Sequence, residues 1–319
     1  MQRRDFLGLS IAAGLSAAGL PGCSKPEPLV FGIHPWIGYE PLYLAKDFGW
    51  LPESVILSSG ASSKDSMAGL LSGKLQGAAL TLDETIRVWS KGKELVAVAV
   101  ADVSAGADAL IVRPSITDLS ELRGKRIAVE TNGASGIMLL KILELAGLAR
   151  SDMVPVDLPV NEHVGAWSRG EVDASVSYEP IATKLEREGG VRLFDSSDMP
   201  ETIFDLLVVT RDTAEANPAA VRDLVMAHFK GLRHLVRSMH DSVYRVASHQ
   251  GIRPEDVRSA LATVMLPDLA ANQRYLSGAG RVEAMARSLS ELMLRTGMIQ
   301  KEPGFQRLCD PSFLPGSLP

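Results

Sequence analysis

Two cysteines, Cys23 and Cys309, in 319 residues are too few for a disulfide framework. Structural zinc is excluded as well, because no set of Cys and His residues has the spacing a metal site needs. Aromatic residues make up only 5% of the chain and no basic stretch is interleaved with them, so nucleic acid is not an expected partner. The uncharged run Leu7–Leu20 falls short of the about 20 apolar residues that a membrane-spanning helix requires. What remains is an ordinary globular profile, 46% hydrophobic and 22% charged. Its net charge of -5 bears on solubility rather than fold. The length suits two domains of about 150 residues each.

The first residues read as an export signal rather than as part of the fold. Arg3-Arg4 makes a positive n-region and Leu7–Leu20 fits a secretory h-region. Arg3-Arg4-Asp5-Phe6-Leu7 resembles a twin-arginine signal. Leu20-Pro21-Gly22-Cys23 resembles the lipobox ahead of a lipidated cysteine, with Pro21 where a small residue is usual. The expectation is a protein exported to the periplasm or cell surface and held on the membrane by lipid on Cys23. Residues 1–23 would be the signal and 24–28, rich in Pro and charge, a tether. With Cys23 lipidated, Cys309 has no partner; a Cys23–Cys309 bridge is the alternative.

From Leu29 onward short apolar runs alternate with amphipathic helical ones, which predicts a mostly parallel sheet covered on both faces. Two runs match each other, Asp108–Arg113 and Asp205–Arg211, each an Asp, an apolar stretch and an Arg. A complete β-α series lies between them. The economical reading is one lobe inserted into another, with these two strands as paired crossovers; chance likeness of two apolar strands is the alternative. The boundaries are then 29–112 plus 206–319 for the first lobe and 113–205 for the second. After Arg211 the pattern turns helical, starting with the cap Asn217-Pro218 and running to His249. His228, His234, His240 and His249 fall at spacings that give no close pair on one face, so they are expected to be solvated or half-buried rather than ligands.

The stretch His34–Ala45, HPWIGYEPLYLA, breaks a strand at Pro and Gly, offers two aromatics and then starts a helix, as a pocket mouth does. Pro35–Ala45, the segment Met67–Ala78 with Gln76 where Asp is usual, the entry Leu119–Val129, and Gly170–Ala174 with Tyr178-Glu179-Pro180 together resemble one family. It is the solute-binding proteins of ABC importers for nitrate, sulfonates, taurine and pyrimidine precursors. The resemblance covers about residues 29–314 and implies an α/β, type II periplasmic-binding fold: two hinged lobes, hinge crossover strands and a helical C-terminal tail. It also implies a small-molecule solute and an inner-membrane ABC permease as partners, a monomer, and no cofactor or metal.

Strand ends and loop starts facing an inter-lobe cleft carry acids: Asp83 (beside Glu84), Asp108, Glu130, Glu179 and Asp205. With Trp36, Tyr39 and Tyr178 as stacking groups and Ser59, Ser62 and Ser135 in turns able to hold an oxyanion, these are the candidate ligand contacts. A carboxylate-rich cleft favours a ligand with an amine, guanidinium or aminopyrimidine group. The competing class is an enzyme of pyrimidine-precursor or menaquinone biosynthesis on the same scaffold. The precursor synthases carry a Cys-rich motif that two cysteines cannot supply, and no Ser/His/Asp or Cys/His pair stands near the cleft turns. A regulator's effector domain is a third class, disfavoured by the export signal.

Overall fold

The computed structural model describes residues 27–278, 280–305 and 307–318. The expected twin-arginine pair, lipobox and lipidated Cys23 lie outside the described residues. The chain opens with β1 (Leu29–Ile33), α1 (Glu40–Asp47), β2 (Val55–Ser59), α2 (Ser63–Ser72), β3 (Gly77–Thr81), α3 (Leu82–Ser90) and β4 (Leu95–Ser104). A second series follows: β5 (Asp108–Val112), β6 (Arg126–Val129), α4 (Ala134–Ala146), β7 (Val154–Asp157), α5 (His163–Ser168), β8 (Ala174–Tyr178), α6 (Ile181–Arg187) and β9 (Val191–Asp195). The chain then returns through β10 (Phe204–Thr210) to the helical tail: α7 (Arg211–Ala216), α8 (Pro218–Arg237), α9 (Met239–Gln250), α10 (Pro254–Leu261), β11 (Val264–Met265), α11 (Leu269–Tyr275) and α12 (Arg281–Arg295).

Two sheets result, ordered β11-β4-β10-β3-β1-β2 and β7-β6-β8-β5-β9. In each, three neighbouring strands run parallel and the next is antiparallel: β10 beside β3 in the larger sheet, β5 beside β8 in the smaller. The two matched Asp-to-Arg runs therefore occupy equivalent places in different sheets. The two matched runs do not hydrogen-bond to each other; β5 pairs with β8 and β9, and β10 with β3 and β4. The reason is burial on both faces. Leu206 and Val208 of β10 pack to one side of their sheet and Leu207 and Val209 to the other. Leu110 and Val112 of β5 divide from Ala109 and Ile111 in the same way. An apolar strand of this kind is satisfied only as an interior strand of its own sheet. Residues 108–112, expected in the first lobe, thus belong to the smaller sheet.

The chain crosses between the sheets twice, after β4 and before β10. The crossings are tied together: Ser104 Oγ lies 2.7 Å from Ser196 Oγ, which also accepts the Gly106 N–H at 2.7 Å. Gly106 has φ +115°, a turn conformation that suits glycine.

Helix punctuation follows the sequence signals. Gly147, at φ 63°, ends α4, and the Asn217 side chain caps α8 ahead of Pro218. The helical run to His249 breaks at Ser238 (φ -122°, ψ 45°), dividing α8 from α9. His228 departs from expectation. It is fully buried on the apolar face of α8, with neither ring nitrogen hydrogen-bonded, and burial lowers its pKa to about 4. Its ring is neutral at pH 7 and packs as a core side chain. The short α11 had no readable period; its anchor is the buried Asn272, whose amide accepts from Val100 N at 2.7 Å and donates to Val100 O at 3.1 Å.

The opening stretch is held by close backbone packing. A Cβ on Gly231 of α8 would stand 1.8 Å from the Pro41 carbonyl oxygen of α1. Gly231→Ala therefore forces the two helices apart, and chemical denaturation should show a loss of about 3 kcal/mol.

Candidate functional site

In a parallel strand the carboxyl end faces the cleft, and in an antiparallel neighbour the amino end does. The sheet order therefore gathers the loop after β1, the ends of β3, β6 and β8, and the first residues of β5 and β10 at one edge. Between the sheets lies a cavity with about 460 Å³ of non-atom space, its open mouth included. His34, Trp36, Ser63, Thr81, Glu84, Ile203 and Asp205 line it from the larger-sheet side and the crossing before β10, and Asp108, Glu130, Gly133, Ala134, Ser135 and Tyr178 from the smaller.

Of the residues expected from sequence, Trp36, Asp108, Glu130, Ser135, Tyr178 and Asp205 line this cavity. Trp36 and Tyr178 meet across it edge to face, ring centroids 5.6 Å apart. Tyr39 does not reach the space. It is fully buried, and its hydroxyl donates to Asp205 Oδ1, so it supports the wall from behind. Ser59 is turned away and pairs with the Tyr43 hydroxyl at 3.2 Å, beside a separate recess. Ser62 occupies the half-buried position before α2, and its neighbour Ser63 faces the cavity instead. Asp83 is buried, receives the Thr81 hydroxyl at 2.7 Å and stands 3.5 Å from Arg87 Nε. Glu179 is taken by Arg192 at 2.9 Å and by the Thr183 N–H. These five were expected as contacts and do not line the cavity, because each has a protein partner or points elsewhere.

His34, Ser63, Thr81, Glu84, Gly133, Ala134 and Ile203 line the cavity without being among the expected contacts, although Glu84 adjoins Asp83 and His34 opens the marked stretch His34–Ala45. For Glu84 a signal existed. Thr81-x-x-Glu84 is a capping box, with Glu84 Oε2 accepting the Thr81 N–H at 2.9 Å. That box turns Glu84, not Asp83, back toward the cleft edge. Gly133 brings the opposite wall close, since a Cβ there would lie 3.4 Å from Glu84 Oε1.

The electrostatics are dominated by acids removed from water. Asp102 lies behind the wall, opposite Asp205 in the β4–β10 register, and accepts the Trp36 indole N–H at 2.9 Å. Its other oxygen has no hydrogen-bond partner. Burial raises the Asp102 pKa to about 7 against the opposing Trp36 bond, with the Asp108 charge adding to the rise. Burial, then the charge of Asp83, raises Glu84 to about 7. Burial raises Asp108 to about 6, opposed by the bond from Ser104. Asp205 is pushed well up by burial and then by Asp102. No Lys or Arg is among the residues that line the cavity. Lys64, outside the lining, stands 3.3 Å from Glu130. His34 is held down to about 4 by burial and its Nδ1 has no partner, so it is a neutral ring. Among the described residues no three of His, Cys, Asp and Glu converge as a metal-ligand set.

Residues 36–238 match the family described as NMT1/THI5 like. The chain belongs to the NMT1/THI5-like family. It is 24% identical over 214 residues to the taurine-binding periplasmic protein of Escherichia coli K12, a match spanning 64% of this chain and 64% of that one. The chain thus matches slightly less than two thirds of that relative's length. The crystal structure of the periplasmic aliphatic sulphonate binding protein SsuA from Escherichia coli superposes with a TM-score of 0.75 at 20% identity, covering 89% of this chain and 96% of that one. A desulfurization enzyme, DSZB, superposes with a TM-score of 0.63 at 15% identity, covering 89% and 97%. At these identities the solved structures establish the fold, a two-lobed periplasmic-binding architecture, which carries binding proteins and at least one enzyme alike.

The raised acids make a signed prediction. Glu84 ordinarily titrates near 4.5 and here near 7, so the folded protein binds more protons between those values. That contribution to stability is present below about pH 4.5 and lost as pH rises through 7. Glu84→Gln should therefore gain stability over the parent, by up to about 3 kcal/mol, when denaturation is compared at pH 5 and pH 8. Comparing variant with parent cancels the opposite titration of the buried histidines.

Proposed function

We propose that this NMT1/THI5-like protein is the exported solute-binding component of an ABC importer, and that its solute is a small molecule carrying a cationic amine beside an oxyanion. The observation that carries the reading is the imbalance of charge in the cavity. Among the described residues Glu84, Asp108, Glu130 and Asp205 line it, and no Lys or Arg does. Such a wall favours a cation, because an amine entering it relieves the desolvation of the acids it touches. The opposite polarity is available at the first turn of α4, where Gly133, Ala134 and Ser135 line the same space, and at Ser63 in the first turn of α2. Amide N–H groups at a helix start suit a sulfonate or carboxylate. A taurine-like solute would satisfy both ends, in keeping with the taurine-binding relative. The alternative expected from sequence, an aminopyrimidine, satisfies the acids but leaves the helix starts unused.

Capture would proceed by entry between the lobes, closure about the two crossings and docking of the closed form on a permease, with the protein a monomer tethered by lipid on Cys23. An enzyme of pyrimidine-precursor or menaquinone biosynthesis is the weaker reading. Among the described residues no cysteine lines the cavity, and the one histidine that does, His34, has a partnerless Nδ1.

Titration calorimetry with taurine and with isethionate, which has a hydroxyl in place of the amine, tests the ligand. Taurine should bind at least tenfold more tightly, with affinity rising as pH passes from 5 to 8 and the acids release their protons. Asp205→Asn should weaken taurine by about 2 kcal/mol, roughly 30-fold. Equal affinity for isethionate would remove the amine from the proposal. For the tether, Cys23→Ser should move the protein from the membrane fraction to the soluble fraction of the cell that makes it; a protein that is soluble before the substitution was never anchored there.

A further inference from the structure

A second recess lies outside the cavity and shares no lining residue with it. It runs between α2 and α3, closed on one side by Asn132 and on another by the Met298–Gln300 segment that follows α12. Its non-atom space is about 990 Å³, open mouth included. Among the described residues its lining is basic: Arg87, Lys91 and Lys64, which also stands 3.3 Å from Glu130, line it and no acid does.

Arg87 is the unusual member. Its side chain is only 7% exposed, yet neither Nε nor Nη2 has a hydrogen-bond partner. Nη1 makes one long bond, 3.4 Å, to the Met298 carbonyl. Asp83 Oδ2 stands 3.5 Å from Nε, near enough to neutralise part of the charge but not aligned to accept the N–H. A guanidinium presents five donors in a planar fork, and burying it with most of that fork unused is costly. The fork matches two oxygens of a carboxylate or sulfonate. Around it the recess is apolar: Met67 and Met298 are half-buried against the core, and Leu71 is 37% exposed at the rim. Lys91 adds an exposed charge at the far end of α3.

We propose that this recess is a second ligand site, which holds an oxyanion attached to a short aliphatic chain, the head group at the Arg87 guanidinium and the chain along Met67, Leu71 and Met298. The site touches both halves of the molecule. Asn132 follows β6 of the smaller sheet, and the Met298 methyl lies 3.2 Å from where a side chain on Gly136 of α4 would begin. A ligand seated there contacts the two lobes from outside the cleft.

Calorimetric titration of the full chain with sodium 1-hexanesulfonate, hexanoate and sulfate tests the site. The expected result is binding of hexanesulfonate or hexanoate at least tenfold tighter than sulfate, and the preferred one of the two names the head group. Arg87→Gln and Leu71→Glu should each weaken that binding at least tenfold, and Asp205→Asn in the cleft should leave it unchanged. Leu71 is at the rim and its replacement leaves the buried Asp83–Arg87 contact intact, so the test stands even where Arg87→Gln unfolds. Binding that survives Leu71→Glu, binding that is lost in Asp205→Asn, or no heat with either aliphatic anion overturns the proposal.

Discussion

The structure is organised around carboxylates withdrawn from water without enough cations to match them. Asp102, Asp108, Glu84 and Asp205 sit within one edge of a two-lobed fold, each less than a tenth exposed. In water each would be ionised at neutral pH. Here desolvation and mutual repulsion raise all four, Glu84 and Asp102 to about 7 and Asp108 to about 6, with Asp205 pushed well up. These acids therefore keep protons at pH values where a solvated carboxylate is already ionised. Tyr39 and Trp36, buried and donating to Asp205 and Asp102, orient those acids without neutralising them.

Much of the architecture was readable from periodicity. Alternating apolar runs and amphipathic helices marked nearly every strand, and Gly147, Asn217 and Pro218 marked helix ends where they fall. The helical tail was legible in outline only, because α11 is seven residues long and rests on one buried amide, Asn272. The likeness of Asp108–Arg113 to Asp205–Arg211 was real, but its meaning lay in topology. Sequence similarity between strands does not say whether they pair with each other or hold the same rank in two sheets.

The site was partly legible for a related reason. Asp108 and Asp205 begin apolar strands, so wherever those strands sit, their first residues fall at a sheet edge. Trp36 and Tyr39 are three residues apart around a 3-10 turn, and which of them faces the cleft depends on tertiary packing. The choice is made partly by Gly38, where any side chain would collide with Asp102, 1.6 Å from its Oδ2. Asp83 and Glu84 are adjacent acids with opposite assignments. One turns inward to Arg87 and the other back toward Thr81. A residue's type is visible in sequence; the direction it points at a helix start is decided by its hydrogen bonds.

The serine tie between the two crossings bears on how the lobes can move. Two free connections would let one lobe bend, twist and slide against the other. Joined at Ser104 and Ser196 they would act as a single pin, leaving the proposed closure mainly a rotation about it. A walk along one angle visits few arrangements. In the proposed solute-binding role, the Trp36 and Tyr178 walls would return to the same register at each closure, with little conformational freedom left to lose on binding.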